Sequence, residues 1–129
     1  MKKIPFLLVF LALGLVLFTT SCDNDDDCTA PALEENIVGT WSIPLSGDGT
    51  IEFQADGTLL DPDDLLYGVE VNGIVYSQKS YSISGTTLSV TAEAPGGAGS
   101  SSADFEVVSN ECDVITISIL TLDVDMNRQ

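Results

Sequence analysis

Short segments in which apolar and polar residues alternate run through most of the chain, and Gly, Asn and Asp separate them at short intervals. IEFQ at 51–54 and LSVTAE at 88–93 place apolar side chains at every second position. Because a β-strand directs successive side chains to opposite faces, this pattern predicts strands with one buried face. Separators such as Asn72-Gly73 supply the positive φ that tight hairpins need. The chain is therefore predicted to be all-β.

The strand pattern predicts a small antiparallel up-and-down β-barrel, because closing a meander of short strands removes its exposed edges. Before the strands, PALEENI at 31–37 predicts a short helical turn, with Pro31 near its start and two glutamates near its positive end. The Gly- and Ser-rich stretch PGGAGSSS at 95–102 predicts a mobile loop. Eight strands are predicted, at residues 38–43, 50–54, 58–60, 67–71, 74–83, 86–93, 103–109 and 114–122.

The N-terminus predicts export and lipid attachment. Lys2 and Lys3 precede an apolar run over 4–18, which at about 1.5 Å per residue is too short for a hydrocarbon core of roughly 30 Å. Small residues then lead into Cys22, which resembles the lipobox of bacterial lipoproteins, although Thr19 stands where that pattern has an aliphatic residue. Residues 1–21 are thus predicted to be a signal peptide and Cys22 the acylated residue. The alternative is an ordinary signal peptide and a free thiol at Cys22.

Residues 22–30 are predicted to form a lipidated acidic tether. The tract DNDDD at 23–27 cannot bury itself, so it should remain solvated and extended. It is similar to the tract that directs lipoproteins of one group of Gram-negative bacteria to the outer face of the outer membrane. That similarity implies a lipid-anchored protein of the cell surface. The alternatives are a flexible spacer and a loose cation-binding tail.

Cys28 and Cys112 remain once Cys22 is acylated, and a pair of cysteines in an oxidising compartment predicts a disulfide. In the chain-entropy model, closing so long a loop contributes about 4 kcal/mol. Five residues separate Cys22 from Cys28, so an extended tether would hold the domain within about 20 Å of the membrane. The turn at 110–113 is then predicted to face the bilayer. Two free thiols or an intermolecular link are the alternatives.

Charge composition excludes several classes of function. The chain has 20 acidic and 4 basic residues, a net charge of −16 and no histidine. Without an imidazole, Ser-His-Asp and Cys-His catalysis and histidine-bearing zinc sites are excluded. So few cations argue against nucleic acid as a partner, and the same charge repels anionic lipid headgroups. We therefore expect no catalytic residues, no cofactor and no enzymatic activity.

Three segments, GTW at 39–41, IEFQADGT at 51–58 and YSISGTTLSV at 81–90, carry a resemblance to a known family. Together with the preceding helical turn, they resemble the lipocalin-like domains of Gram-negative surface lipoproteins, over about residues 37–128 of the domain predicted at 31–129. The resemblance implies that Trp41, beside Gly39, packs across the closed end of the barrel under Arg128. A shielded guanidinium over an indole would contribute about 1–2 kcal/mol. The alternative is an ordinary core tryptophan and a frayed terminus.

The resemblance also implies a non-catalytic binding module for a small apolar ligand or a surface partner. An eight-stranded barrel is only just wide enough to be filled by its own side chains or to hold one small ligand. The alternative is therefore an accessory or structural lipoprotein with a filled barrel, which acts only through protein or glycan contacts. The residues predicted to line a ligand cavity are Phe53, Val71, Val75, Ile83, Val90 and Phe105.

Two points stay open. The crowded carboxylates of Asp61, Asp63 and Asp64 are candidate calcium ligands, with a solvated loop as the alternative. In a barrel of the eight predicted strands, the turn at 110–113 and the start of the first strand lie at opposite ends. Either residues 28–37 cross the barrel to bring Cys28 to Cys112, or one predicted hairpin is wrong.

Overall fold

The computed structural model describes residues 28–44, 47 and 49–129. The predicted signal peptide, the lipidation site Cys22 and the acidic tract at 23–27 lie outside the described residues, as do residues 45, 46 and 48. None of the helices in the described part of the chain has the length and apolar character needed to cross a bilayer.

The described residues form a predominantly β structure with one short α-helix ahead of the strands, as predicted. The elements are α1 (Leu33–Asn36), β1 (Gly39–Ser42), β2 (Thr50–Phe53), β3 (Leu59–Leu60), β4 (Glu70–Val71), β5 (Ile74–Val75), β6 (Gln78–Ser84), β7 (Thr87–Glu93), β8 (Ser100–Asn110), β9 (Val114–Ile119) and β10 (Leu122–Arg128).

Eight of these strands form an antiparallel sheet in the order β3-β2-β1-β10-β9-β8-β7-β6. The sheet curls until its outer strands approach each other, where Thr58 bridges Ser80 and the Tyr81 N–H donates to the Gly57 carbonyl at 2.8 Å. The result is a nearly closed up-and-down barrel. This confirms the predicted fold class.

The barrel has the predicted number of strands but not the predicted membership. The strand predicted at 67–71 and the first residues of the one at 74–83 leave the barrel and pair as a separate hairpin, β4–β5, which turns at Asn72-Gly73. One strand fewer than predicted then precedes β8 in the barrel. Because successive strands run in opposite directions, the turn at 111–113 lies at the same end as α1. This hairpin resolves the conflict over Cys28, since residues 28–37 do not cross the barrel.

The C-terminal strand was predicted as one element at 114–122, whereas the chain reverses at Leu120-Thr121 and continues as β10. Leu120 has a φ of 60°, in the left-handed region that usually favours glycine or asparagine. Because neither residue type marks this turn, local sequence does not reveal it. The pairing of β10 with both β9 and β1 holds the turn in place.

The prediction of a mobile loop at 95–102 is also wrong. Residues Pro95–Gly97 form a tight 3₁₀ turn, and β8 already begins at Ser100. The serines pair with β7 along the ladder, and the hydroxyls of Thr91 and Ser102 are 2.8 Å apart. Serine suggests a loop by composition, but here its backbone groups complete a strand.

Alternate residues of the barrel strands fill its interior. Large side chains from strands all around the barrel form a single core cluster. Leu33 of α1 and Ile37, which directly follows the helix, belong to the same cluster. The largest fully buried side chains are Trp41, Phe53, Ile37, Ile43, Ile51, Leu88, Ile115, Ile117, Met126 and Val90.

The turn at Leu120 provides a direct test of the β9–β10 hairpin. The Leu120 side chain is 99% exposed, so replacing it by glycine sacrifices no packing. Relief of the positive φ, at about 1–2 kcal/mol, should exceed the added backbone entropy of glycine, at about 0.5–1 kcal/mol. We expect Leu120→Gly to raise the free energy of unfolding by about 0.5–1 kcal/mol in urea titrations. A decrease would contradict this assignment of the turn.

Candidate functional site

The two ends of the barrel are built differently. At one end, called the closed end, lie α1, the turn at 111–113 and the final residues of β10. At the other, called the mouth, lie the turns that join β7 to β8 and β9 to β10. Residues 61–77, called the strap, connect β3 to β6 at the mouth and carry the β4–β5 hairpin.

Arg128 is the centre of the closed end. Its guanidinium carbon lies 4.3 Å from the centroid of the Trp41 ring. Nη2 donates to the carbonyl of Asn36 at 2.5 Å and to its side-chain oxygen at 2.7 Å. Nε donates to the Cys112 carbonyl at 3.1 Å, and Nη1 to the Val38 carbonyl at 3.3 Å. One side chain of the last strand thus joins the helix, the first strand and the 111–113 turn.

Gly39 makes room for this arrangement. A Cβ atom at residue 39 would lie 3.0 Å from Nη1 of Arg128, and the φ of Gly39 is +136°. Beneath the guanidinium, the Trp41 indole N–H donates to the Ile37 carbonyl at 2.7 Å. The three residues that the sequence associates with the barrel end therefore lie in contact, and their contacts fasten the fold.

The predicted disulfide between Cys28 and Cys112 is confirmed, with Cα atoms 6.2 Å apart. Asn36, which the sequence analysis did not identify, adds further hydrogen bonds at the closed end. Its Nδ2 donates at 2.7 Å both to the Asn110 side chain and to the Glu111 carbonyl. Asn110 in turn donates to the Pro31 carbonyl at 2.9 Å. A surface pocket of about 420 Å³ lies against the disulfide and this turn.

At the mouth, a buried ion pair holds the strap. The Asp61 carboxylate accepts the backbone N–H groups of Leu65, Leu66 and Tyr67 at 2.6, 3.2 and 3.1 Å. Lys79 of β6 lies 3.1 Å from the same carboxylate, and the two side chains are 2% and 0% exposed. The ammonium also donates to the Asp61 carbonyl.

The Asp64 carboxylate is the third acceptor of the Lys79 ammonium, with a distance of 2.5 Å between Nζ and Oδ1. The carboxylates of Asp61 and Asp64 thus neutralise a lysine, and the exposed Asp63 does not join them. Within the described ranges, no group of three or more acidic or cysteine side chains is arranged to hold a metal ion. The candidate calcium site therefore does not form, because an internal cation already occupies it.

The strap closes the mouth of the barrel. Leu66 is buried in the core cluster, and Leu65 and Tyr67 pack against it. The Tyr67 hydroxyl lies 2.8 Å from the Ser101 hydroxyl of β8. A Cβ atom at Gly49 would clash with the Leu65 side chain, which shows how closely the strap approaches the β1–β2 connection.

The six residues predicted to line a ligand cavity are not brought together, so that prediction is wrong. Phe53, Val90 and Phe105 are buried in the packed core, and Ile83 is partly buried against it. Val71 and Val75 lie outside the barrel on the β4–β5 hairpin and are 44% and 47% exposed. A second pocket, of about 330 Å³, lies beside the strap, but its lining is different: Leu59, Leu60, Asp61, Pro62 and Ser77.

Two shifted pKa values occur near the β2–β3 turn. The Thr58 N–H donates to Asp56 at 2.9 Å and holds the pKa of that exposed carboxyl below its usual value. Burial, with a smaller contribution from Asp56, raises the pKa of Tyr81. The Tyr81 hydroxyl donates to the Gln54 carbonyl at 2.8 Å, and its ring packs edge-on against Phe53. These contacts stabilise the β2–β3 turn and join it to β6.

No protein-family model and no curated protein matches this sequence. Among solved structures, the chain is similar to the crystal structure of a lipocalin-like protein from Bacteroides thetaiotaomicron. The match covers 72% of this chain and 96% of that chain, with 18% sequence identity and a TM-score of 0.45. The class of this protein is defined by its own strand pairing, which is that of a nearly closed, eight-stranded antiparallel barrel.

Lys79→Met tests the strap. The substitution leaves a buried Asp61 carboxylate without its cation, so we expect a loss of about 3 kcal/mol in the free energy of unfolding. Hydrogen exchange at the amides of Leu65, Leu66 and Tyr67 should accelerate as well. Asp63→Asn, in the same segment but exposed, should change stability by less than about 0.5 kcal/mol. Equal effects of the two substitutions would contradict a fastening role for Lys79.

Arg128→Ala tests the closed end. We expect a loss of about 2–3 kcal/mol, because charge-assisted hydrogen bonds to three carbonyls and the contact with the indole disappear together. Arg128→Lys should recover only part of this, since an ammonium lacks the planar fork of a guanidinium. Trp41 is the single tryptophan, so its fluorescence reports this end of the barrel. Unchanged emission and stability in Arg128→Ala would contradict the role assigned to Arg128.

Proposed function

We propose that this protein is a non-catalytic binding module, attached by an acylated Cys22 to the outer face of the outer membrane, which binds a partner through its outer surface. The barrel is the scaffold that presents that surface. The observation that carries the proposal is the filled interior. Large side chains occupy the barrel, and the strap closes its mouth with a residue, Leu66, that belongs to the core cluster.

The tether supports a definite orientation. Five residues separate Cys22 from Cys28, and the disulfide to Cys112 fixes Cys28 at the closed end. A lipid on Cys22 would therefore keep the closed end near the bilayer, within about 20 Å. The mouth, the strap and the β4–β5 hairpin would point away from the membrane, where a partner can reach them.

The surroundings of the Lys79 and Arg128 side chains support a binding function over a catalytic one. Besides Lys2 and Lys3, the chain has only Lys79 and Arg128, and it has no histidine. Lys79 is 6% exposed and paired with Asp61 and Asp64. Arg128 is engaged with carbonyl oxygens at the closed end. Both nitrogen groups therefore serve the fold, and neither is directed at an open cleft.

Native mass spectrometry of the protein purified from membranes, in detergent micelles, tests the proposal. After exposure to a lipid extract, we expect the mass of the acylated mature chain with no bound small molecule, because the described side chains of the barrel interior pack into one core cluster. Cys22→Ala should abolish the acyl mass and release the protein from membranes. One apolar molecule retained per chain would overturn the proposal in favour of a ligand carrier, and an unmodified Cys22 would remove the anchor.

A further inference from the structure

We propose that the docking surface is the β4–β5 hairpin with its anionic border, and that the partner is a protein segment carrying both basic and apolar side chains. The proposal rests on the function proposed above and names the surface and the partner chemistry. The hairpin comprises Glu70–Val71 and Ile74–Val75. We call three exposed carboxylates at the mouth end of the barrel the anionic border: Glu70 of the hairpin itself, Asp63 of the strap and Glu93 at the end of β7.

Apolar side chains on the hairpin are left without a core. Val71 is 44% exposed, and Ile74 and Val75 are each 47% exposed. Val71 is paired across the strands with Ile74, while Val75 is paired with Glu70, so apolar groups occur on both faces. The two strands pair with each other and with no strand of the barrel among the described residues. A two-stranded hairpin alone is marginally stable in water, so a partner that covers these side chains would stabilise it.

The base of the hairpin is nevertheless held firmly. Just outside the two strands, the Tyr76 N–H donates to the Val69 carbonyl at 2.9 Å. Tyr67 is anchored through its N–H to Asp61 and through its hydroxyl to Ser101. Because this base is already ordered by the buried ion pair, binding at the hairpin would require little further ordering of the chain.

The charges around the hairpin specify the partner. Glu70 lies within it, Asp63 is exposed earlier in the strap, and Glu93 is exposed where β7 pairs with Gln78 at the start of β6. No basic side chain among the described residues is exposed at this end, because Lys79 is buried in its ion pair and Arg128 lies at the closed end. Exposed apolar side chains at an end of the barrel whose described exposed charges are carboxylates complement lysine or arginine beside apolar groups, and this end repels anionic lipids and nucleic acids.

Peptide binding tests the surface. The full-length protein is placed in phosphatidylcholine nanodiscs and titrated with a synthetic peptide of alternating lysine and leucine. We expect the double substitution Ile74→Ser, Val75→Ser to weaken binding about tenfold. Val108→Ser is the matched control, since Val108 is 49% exposed on β8, far along the strand from the mouth, and it should change affinity less than about twofold. Equal weakening by the two substitutions would overturn the proposal.

Charge reversal tests the border. Glu70→Lys with Glu93→Lys should weaken the same peptide by about tenfold and reduce the salt dependence of its binding. A peptide of alternating glutamate and leucine should not bind the unaltered protein. Tighter binding of that acidic peptide would overturn the partner chemistry. Unchanged thermal unfolding of the variants, expected for exposed positions, separates loss of contact from loss of fold.

Photo-crosslinking in intact cells distinguishes failure of this inference from failure of the proposed function. With a benzophenone amino acid at position 74, we expect one discrete protein adduct whose linked peptide contains lysine or arginine, and no such adduct at position 108. A discrete adduct at Leu120, also at the mouth, but none at 74 would overturn the hairpin surface and leave the proposed function standing. No adduct at 74, 108 or 120 would overturn both.

Discussion

The closed end of the barrel depends on the guanidinium of Arg128. It lies one residue before the end of the chain, over the only tryptophan, and its hydrogen bonds reach carbonyls from the helix, the residue before β1 and the turn before β9. Those oxygens belong to residues outside the barrel strands, so the sheet ladder does not provide their partners. A single planar cation with several fixed donors satisfies them together, which a hydrocarbon side chain could not do. The disulfide joins the same end covalently.

At the mouth, a charged side chain again satisfies backbone groups, but its charge has the opposite sign. At the closed end a cation satisfies carbonyl oxygens, whereas at the mouth the Asp61 carboxylate satisfies backbone N–H groups and Lys79 neutralises the carboxylate. The Lys79 ammonium is thus committed to the interior, and the Arg128 guanidinium to the closed end. Among the described residues, the charged side chains that remain exposed at the mouth are acidic, and none of them is basic.

Sequence alone was sufficient for the features that depend on local chemistry. Alternation at 51–54 and 88–93 marked buried strand faces, Asn72-Gly73 marked a hairpin, and the two cysteines marked a covalent link. It failed at Leu120-Thr121, whose turn has no glycine, and at 100–102, where serines form a strand. In both places, pairing with neighbouring strands outweighs a weak or contrary local preference.

The sequence by itself determined an all-β chain with a buried apolar face, a strongly acidic surface and no means of imidazole chemistry. Only the tertiary structure decided which hairpin leaves the barrel, which end Cys112 occupies and what the aspartates at 61 and 64 bind. The physical reason is that these outcomes depend on groups far apart in the chain. Lys79 lies 18 residues beyond Asp61, and Arg128 lies 92 beyond Asn36, so their meeting is set by strand order and not by local pattern.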